Sequence, residues 1–224
     1  MFLDSTDADQ DKPLLLRAVE AIVAGPTEIK SVVQEAQEKV STHKKTRHLK
    51  GDDQTLSVAN EIIERYARTC GRVGSLTAAS SIIPGIGTVV ALVGATAADL
   101  AISMKYQIEM VMALAHLYGR DISTEDEQRL CYAVAGLGVA TQAGLLSFKR
   151  FSVKSLTEVA KRMLKTRAKR WLIQLFKMIG LRFTQRGLLR AIPFGVGVVL
   201  GYTSNKKLTR YVGRRARDYF IEAA

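Results

Sequence analysis

Two Ile-Pro steps, each leading into a Gly-rich apolar segment that ends in a polar residue, limit what this chain can fold into more than any other feature. The first is Ile83-Pro84-Gly85-Ile86-Gly87-Thr88-Val89-Val90, which continues through an Ala/Gly-rich stretch to Asp99. The second is Ile192-Pro193-Phe194-Gly195-Val196-Gly197-Val198-Val199, which continues to Asn205. Proline lacks an amide donor and ends or kinks a helix. Glycine and small-xxx-small spacing, as in Gly197–Gly201 and Ala91–Ala95, let helices approach closely. Pro84, Gly85 and Gly87 therefore read as one hinge, and Pro193, Gly195 and Gly197 as a second. Such segments form either the buried centre of a helical bundle or a part that dips into lipid.

The remaining pattern is helical. Period-2 alternation is almost absent, and long runs are built from Ala, Leu, Val, Lys, Arg and Glu. The expected fold is all-α, a single helical bundle whose Gly/Ala-rich central helices are broken by proline. Residues 1–53 read as an acidic tail, two short helices (14–24, stopped by Gly25-Pro26, and 27–40) and a cationic linker. Residues 54–224 read as the main helical domain. Within it, one helix runs from Gln54 towards Pro84 on an apolar face of Val58, Ile62, Ile63, Tyr66 and Ala67. A second runs from about Thr88 to Tyr118 and stops at Gly119. Thr124 with Glu127 three residues on predicts a capping box and a helix to about Phe148. A basic helix follows over 155–179, then a break near Gly180–Gly187, and a last basic helix over 206–223.

The charge is sharply divided. Residues 1–148 hold 14 Lys/Arg against 18 Asp/Glu, whereas residues 149–224 hold 19 against 3. The overall +12 thus belongs to the last third. A bias of that size points to phosphate, of lipid headgroups or of nucleic acid; a merely solvated basic surface is the bland alternative. In the 155–179 helix an apolar stripe of Leu156, Val159, Met163, Leu164, Trp171, Leu172, Leu175, Phe176 and Ile179 faces away from Lys154, Lys161, Lys165 and Lys169, with Arg162 and Arg170 flanking. Three uncharged stretches (73–98, 130–148 and 191–205) are too short, too dilute or too broken to span a bilayer, which takes about 20 apolar residues. The acidic start lacks the features of a signal peptide. Cys70 and Cys131 stand apart, without metal or redox spacing, as buried thiols of a reducing compartment. The expected location is cytoplasmic, peripheral to the inner membrane.

Chemistry-bearing motifs are missing. There is no Gly-x-Ser-x-Gly elbow, His-Glu-x-x-His pair or phosphate-binding loop, and Gly136-Leu-Gly138 imitates a nucleotide fingerprint without a strand before it. His43 and His48 in the cationic linker have no further ligand at metal spacing, so neither a metal nor a cofactor is expected. His116 sits on a mostly apolar helix. Asp99 and Asn205 are each the first strongly polar residue after an Ile-Pro segment. An unpaired buried carboxylate is costly, so Asp99 needs a partner such as Arg210, Arg214 or the Asn205 amide. Asp99, Asn205 and His116 thus form a candidate polar clamp or pocket.

Several of these segments resemble the EcsC family, bacterial proteins named from an operon with ABC-transporter subunits. The resemblance is carried by Ser80-Ser81-Ile82-Ile83-Pro84-Gly85-Ile86-Gly87, by Tyr106-Gln107-Ile108 through Ala115-His116-Leu117-Tyr118-Gly119, and by the ending Ile192-Pro193-Phe194-Gly195-Val196-Gly197 … Asn205 … Gly213-Arg214-Arg215-Ala216 … Tyr219-Phe220. It covers about residues 55–222 and implies association with transport or secretion rather than a defined reaction. The expected function is non-enzymatic: docking on anionic phospholipid, or binding a lipid ligand, through a basic amphipathic helix (Lys154, Lys161, Arg162, Lys165, Lys169 and Arg170) and the Gly-rich apolar segments, with a transporter or secretion component as a further partner. The alternatives are nucleic-acid binding by the same cations, disfavoured because the few aromatics fall on the apolar stripe, and a hydrolase built on Asp99 and His116.

Overall fold

The computed structural model describes residues 12–73, 87, 95–142, 145, 153–163, 168–188 and 196–223. Among them are eight helices and no strand: α1 (Leu14–Glu20), α2 (Pro26–Thr42), α3 (Gly51–Val73), α4 (Ala95–Leu117), α5 (Glu125–Gln142), α6 (Val153–Met163), α7 (Ala168–Leu188) and α8 (Val196–Ala223). The acidic tail, most of the first Ile-Pro segment with Pro84 and Gly85, and Pro193 and Gly195 of the second lie outside the described residues. Gly87 is helical and exposed, and Gly197 lies in the first turn of α8.

Helix α4 sets the architecture. Ala101, Met104, Ile108, Met110, Val111, Leu114 and Ala115 have no measurable exposure and leave no polar stripe for solvent. A helix that is apolar all round has to be surrounded. Helices α1, α2, α3, α5, α7 and α8 all pack against it, and α6 closes on α5 and α8. Residues 14–42 belong to this same core: Leu15, Leu16, Ala18 and Val19 of α1 are buried, as are Ile29, Val33, Ala36 and Val40 of α2. The 29-33-36-40 spacing is one face of a helix.

Local chemistry explains the boundaries. Helix α2 opens with Pro26 at its first position, and the Glu28 carboxylate accepts the Gly25 N–H at 2.6 Å. Helix α4 ends at Gly119, whose φ of 82° suits glycine; Gly119 N–H donates to His116 O at 3.0 Å and Arg120 N–H to Ala115 O at 2.9 Å. That crossed pair satisfies carbonyls left open at a helix end. The capping box at α5 closes on one arm only. Thr124 Oγ1 accepts the Glu127 N–H at 3.4 Å, but the Glu127 carboxylate turns to Arg120 and the Thr124 N–H donates to Asp121 O.

Three expected boundaries are corrected. Helix α7 runs unbroken through Gly180 to Leu188, so the break expected near Gly180–Gly187 is absent. Helix α8 starts at Val196 rather than Lys206, which puts Asn205 inside a helix. Helix α3 starts at Gly51, three residues into the presumed linker, with Asp52 and Asp53 favouring its N-terminal end. The basic helix of 155–179 is described as α6 and α7, with residues 164–167 outside the described residues.

The glycine pair that imitated a nucleotide fingerprint has a packing role. A Cβ on Gly138 of α5 would collide with Val212 of α8. Gly213 of α8 is hemmed in by Ile63 of α3 and Met110 of α4, at 2.8 and 2.9 Å from where its Cβ would stand. The two cysteines are buried and unpaired, and burial pushes the Cys70 thiol up to about 12. We expect Gly138→Ala to cost about 1–3 kcal/mol, the range for overpacking a filled core. Gly87→Ala, which meets open space on a helix, should be neutral or stabilising. Thermal melts of the two variants check both.

Candidate functional site

The most deeply placed charges lie on α4. Glu109 is 4% exposed, and its Oε1 accepts both the Lys105 ammonium one turn earlier and the Ala24 N–H at 2.8 Å. Lys105 also lies 4.7 Å from the Tyr106 ring centroid. This arrangement ties the end of α1 to the central helix. A buried carboxylate tolerates its position only when paired and hydrogen-bonded in this way. Burial, reinforced by the Glu109 charge, raises the Tyr66 and Tyr106 phenols above their ordinary value. In the sequence the pair shows only as Lys-x-x-x-Glu within an apolar helix, a spacing it shares with ordinary solvated ion pairs.

The expected polar clamp fares differently. Asp99 lies on α4 and Asn205 on α8, with both side chains outside the described residues. His116 is half-buried in the last turn of α4. Asp99 and His116 are 17 residues apart on one continuous helix, so a rise of 1.5 Å per residue separates them by about 25 Å. No single substrate atom lies within hydrogen-bond reach of both, which removes the geometry that the hydrolase alternative needs. Arg210, one of the suggested partners of Asp99, closes a two-pronged pair with Glu64 of α3 at 2.6 and 2.7 Å. The other suggested arginine, Arg214, is exposed.

A polar cleft of roughly 390 Å³ opens where α2, α3 and the end of α4 meet, lined by Gln34, Gln37, Glu38, Ser41, Gln54 and Thr55 with Val58 and Leu117 at its floor. None of the sequence-predicted site residues lines it. His43 and His48 are exposed in the adjoining turn, where His43 Nδ1 accepts the Lys45 N–H at 3.3 Å. Among the described residues no three His, Cys, Asp or Glu side chains converge as metal ligands would.

The cationic helices divide cleanly into two sides. Leu156 and Val159 of α6 and Leu172, Leu175, Phe176 and Ile179 of α7 are buried in the core, and Trp171 is half-buried against it. Lys154 and Lys161 on α6, and Lys169 and Arg170 on α7, are exposed. Arg162 has its side chain outside the described residues, and Lys165 lies outside them altogether. Sequence reasoning missed Lys177 and Lys207, which are also exposed, as is Arg214. Among the described residues no carboxylate pairs with any of these seven cations, although Glu158 stands one turn beyond Lys154. Elsewhere Lys39 and Arg68 meet Glu61, Arg65 meets Glu35, and Arg129 meets Glu125 and Asp126.

The Glu64–Arg210 pair carries a pH signature. The Arg210 guanidinium, hydrogen-bonded to Glu64, holds that carboxyl below the ordinary glutamate value. A lowered native pKa contributes stability that is present above the unfolded pKa and is lost as pH falls through the native one. We expect Glu64→Gln to lower stability at neutral pH and to flatten its fall below about pH 4.5, the gap between variant and parent closing as pH drops further, read by urea titration across pH.

Among the described residues no helix is long and apolar enough to cross a membrane. Neither a curated protein nor a solved structure matches the chain. A family model does match, over residues 10–221, and it extends upstream of the segments that carried the resemblance in the sequence, taking in α1 and α2. The chain belongs to the EcsC protein family.

Proposed function

We propose that this EcsC-family protein is a non-enzymatic, peripheral membrane protein that docks on an anionic phospholipid surface through the outward side of α6 and α7. The observation that carries the reading is the division just described: the apolar stripe is built into the core, while Lys154, Lys161, Lys169 and Arg170 face solvent without carboxylate partners. Helices α6 and α7 commit their apolar stripe to the core rather than to lipid. Their cations meet the headgroups instead. Each Lys or Arg near an anionic surface contributes about 1 kcal/mol, so half a dozen hold a protein reversibly without a spanning helix. The apolar hairpin of residues 73–104, a second route into the bilayer, is described only at residues 73, 87 and 95–104.

Two features weigh against nucleic acid as the phosphate source. Phe176 is fully buried and Trp171 half-buried, so neither offers a free face for stacking bases. The same proposal includes a role as accessory to a transporter or secretion component, which docking would bring to the membrane face that carries the cytoplasmic parts of such a machine.

Co-sedimentation with phosphatidylglycerol-containing and pure phosphatidylcholine vesicles tests the reading. Binding is expected only to the anionic vesicles, weakening as salt rises because the screening length falls from about 10 Å at 0.1 M to about 3 Å at 1 M. The triple change Lys161→Glu, Lys169→Glu, Arg170→Glu should weaken it by about two orders of magnitude or more, from about 1 kcal/mol per cation. Equal binding to neutral vesicles, or indifference to the triple change, overturns the proposal. A duplex-DNA gel shift of comparable affinity would favour the nucleic-acid reading.

A further inference from the structure

Five large apolar side chains stand exposed among the described residues: Leu14, Leu56, Met178, Leu181 and Ile221. Isolated exposed leucines are ordinary on protein surfaces. Two of these five, Leu14 and Leu181, flank one helix crossing, and Met178 shares the outer arc of α7 with Leu181. Helix α1 crosses α7 where Leu15 Cβ comes to 3.8 Å from the position a Cβ on Gly180 would take. Leu14, 54% exposed, precedes one member of that contact, and Leu181, 56% exposed, follows the other. Neighbouring Cα atoms are 3.8 Å apart, so both side chains leave from the rim of one crossing.

Helix periodicity links this rim to the cations. At 100° per residue, Arg170, Gln174, Lys177, Met178 and Leu181 fall within an arc of about 100° on α7. All five are exposed. The buried residues Leu172, Leu175, Phe176 and Ile179 occupy the opposite side. The outer stripe thus passes from charge at its start to Met and Leu towards its end, and Lys177 stands one turn from Leu181, about 5–6 Å between Cβ atoms.

We propose that this α1–α7 rim is where the protein enters the bilayer. Leu14, Met178 and Leu181 lie below the phosphates of an anionic phospholipid surface, with Arg170 and Lys177 at phosphate level on flexible stems. Charge complementarity selects the occupant: long apolar side chains bordered by unpaired cations match an anionic lipid boundary, where Lys and Arg keep their stems in apolar surroundings and their heads in water. The inference rests on the docking reading above and adds the orientation of the protein and its apolar anchor.

The experiment compares the parent with Leu14→Ser, Met178→Ser, Leu181→Ser combined, and with Leu56→Ser and Ile221→Ser as exposed apolar controls elsewhere. None of these changes alters charge, and circular-dichroism melts should coincide with the parent's. On phosphatidylglycerol/phosphatidylcholine vesicles the triple variant is expected to bind at least tenfold more weakly and to become more salt-sensitive, while the controls bind as the parent does. Unchanged binding by the triple variant, or an equal loss in the controls, overturns this inference and leaves electrostatic docking standing. A parent that fails to bind anionic vesicles removes both. If size-exclusion chromatography shows a parent dimer that the triple variant converts to monomer, the rim is a contact between copies and the lipid proposal fails.

Discussion

The burial of α4 is the constraint on which the rest of the structure depends. A 23-residue helix with apolar side chains on every side gains nothing from exposure, so the neighbouring helices have to enclose it. The enclosure explains why α1 and α2 belong to the core rather than to a detached N-terminal extension: Ile29, Val33, Ala36 and Val40 supply a matching face, and the Ala24 amide reaches Glu109. It also explains the glycines. Helices crowded round one centre approach closely, and at Gly138 and Gly213 there is no room for a methyl group.

Enclosing α4 also settles what is left for the surface. Helices α6 and α7 turn their apolar stripe inward because the core needs it, which sends their lysines and arginines outward. With only three carboxylates in residues 149–224, local neutralisation is impossible for most of those cations. Helix α8 draws on the acidic half for some of it, through Arg210 on Glu64, and that pair, with the Arg217–Asn60 hydrogen bond, holds α8 along α3. The surplus charge on α6 and α7 has no such outlet within the described residues. It is this surplus, rather than any cavity, that gives the molecule its most distinctive surface.

Helix type, the buried face of α3 and the stop at Gly119 were legible from periodicity and end signals, and the buried, unpaired cysteines from their spacing. The errors share a cause. Gly180 and Gly187 looked like a break because glycine is a poor helix former, but packing against α1 outweighs roughly 1 kcal/mol of intrinsic preference. Glu127 looked committed to a capping box because the motif is local, yet Arg120 offers a charged partner. Asp99 attracted attention through its place after an Ile-Pro segment, whereas the buried charge that the described residues do account for, Glu109, needed knowledge of what surrounds α4.

The chain's own order of residues determined that it would be helical, that its cations would gather in the last third, and that two proline-glycine segments would interrupt apolar helices. Periodicity and charge are local properties, and they survive whatever the helices pack against. That the apolar stripe of α6 and α7 would enter the core, that Glu64 would meet Arg210, and that the Ala24 amide would meet Glu109 were decided by tertiary structure. Those are relations between distant segments, set by the demand that α4 be enclosed, and no window of neighbouring residues contains them.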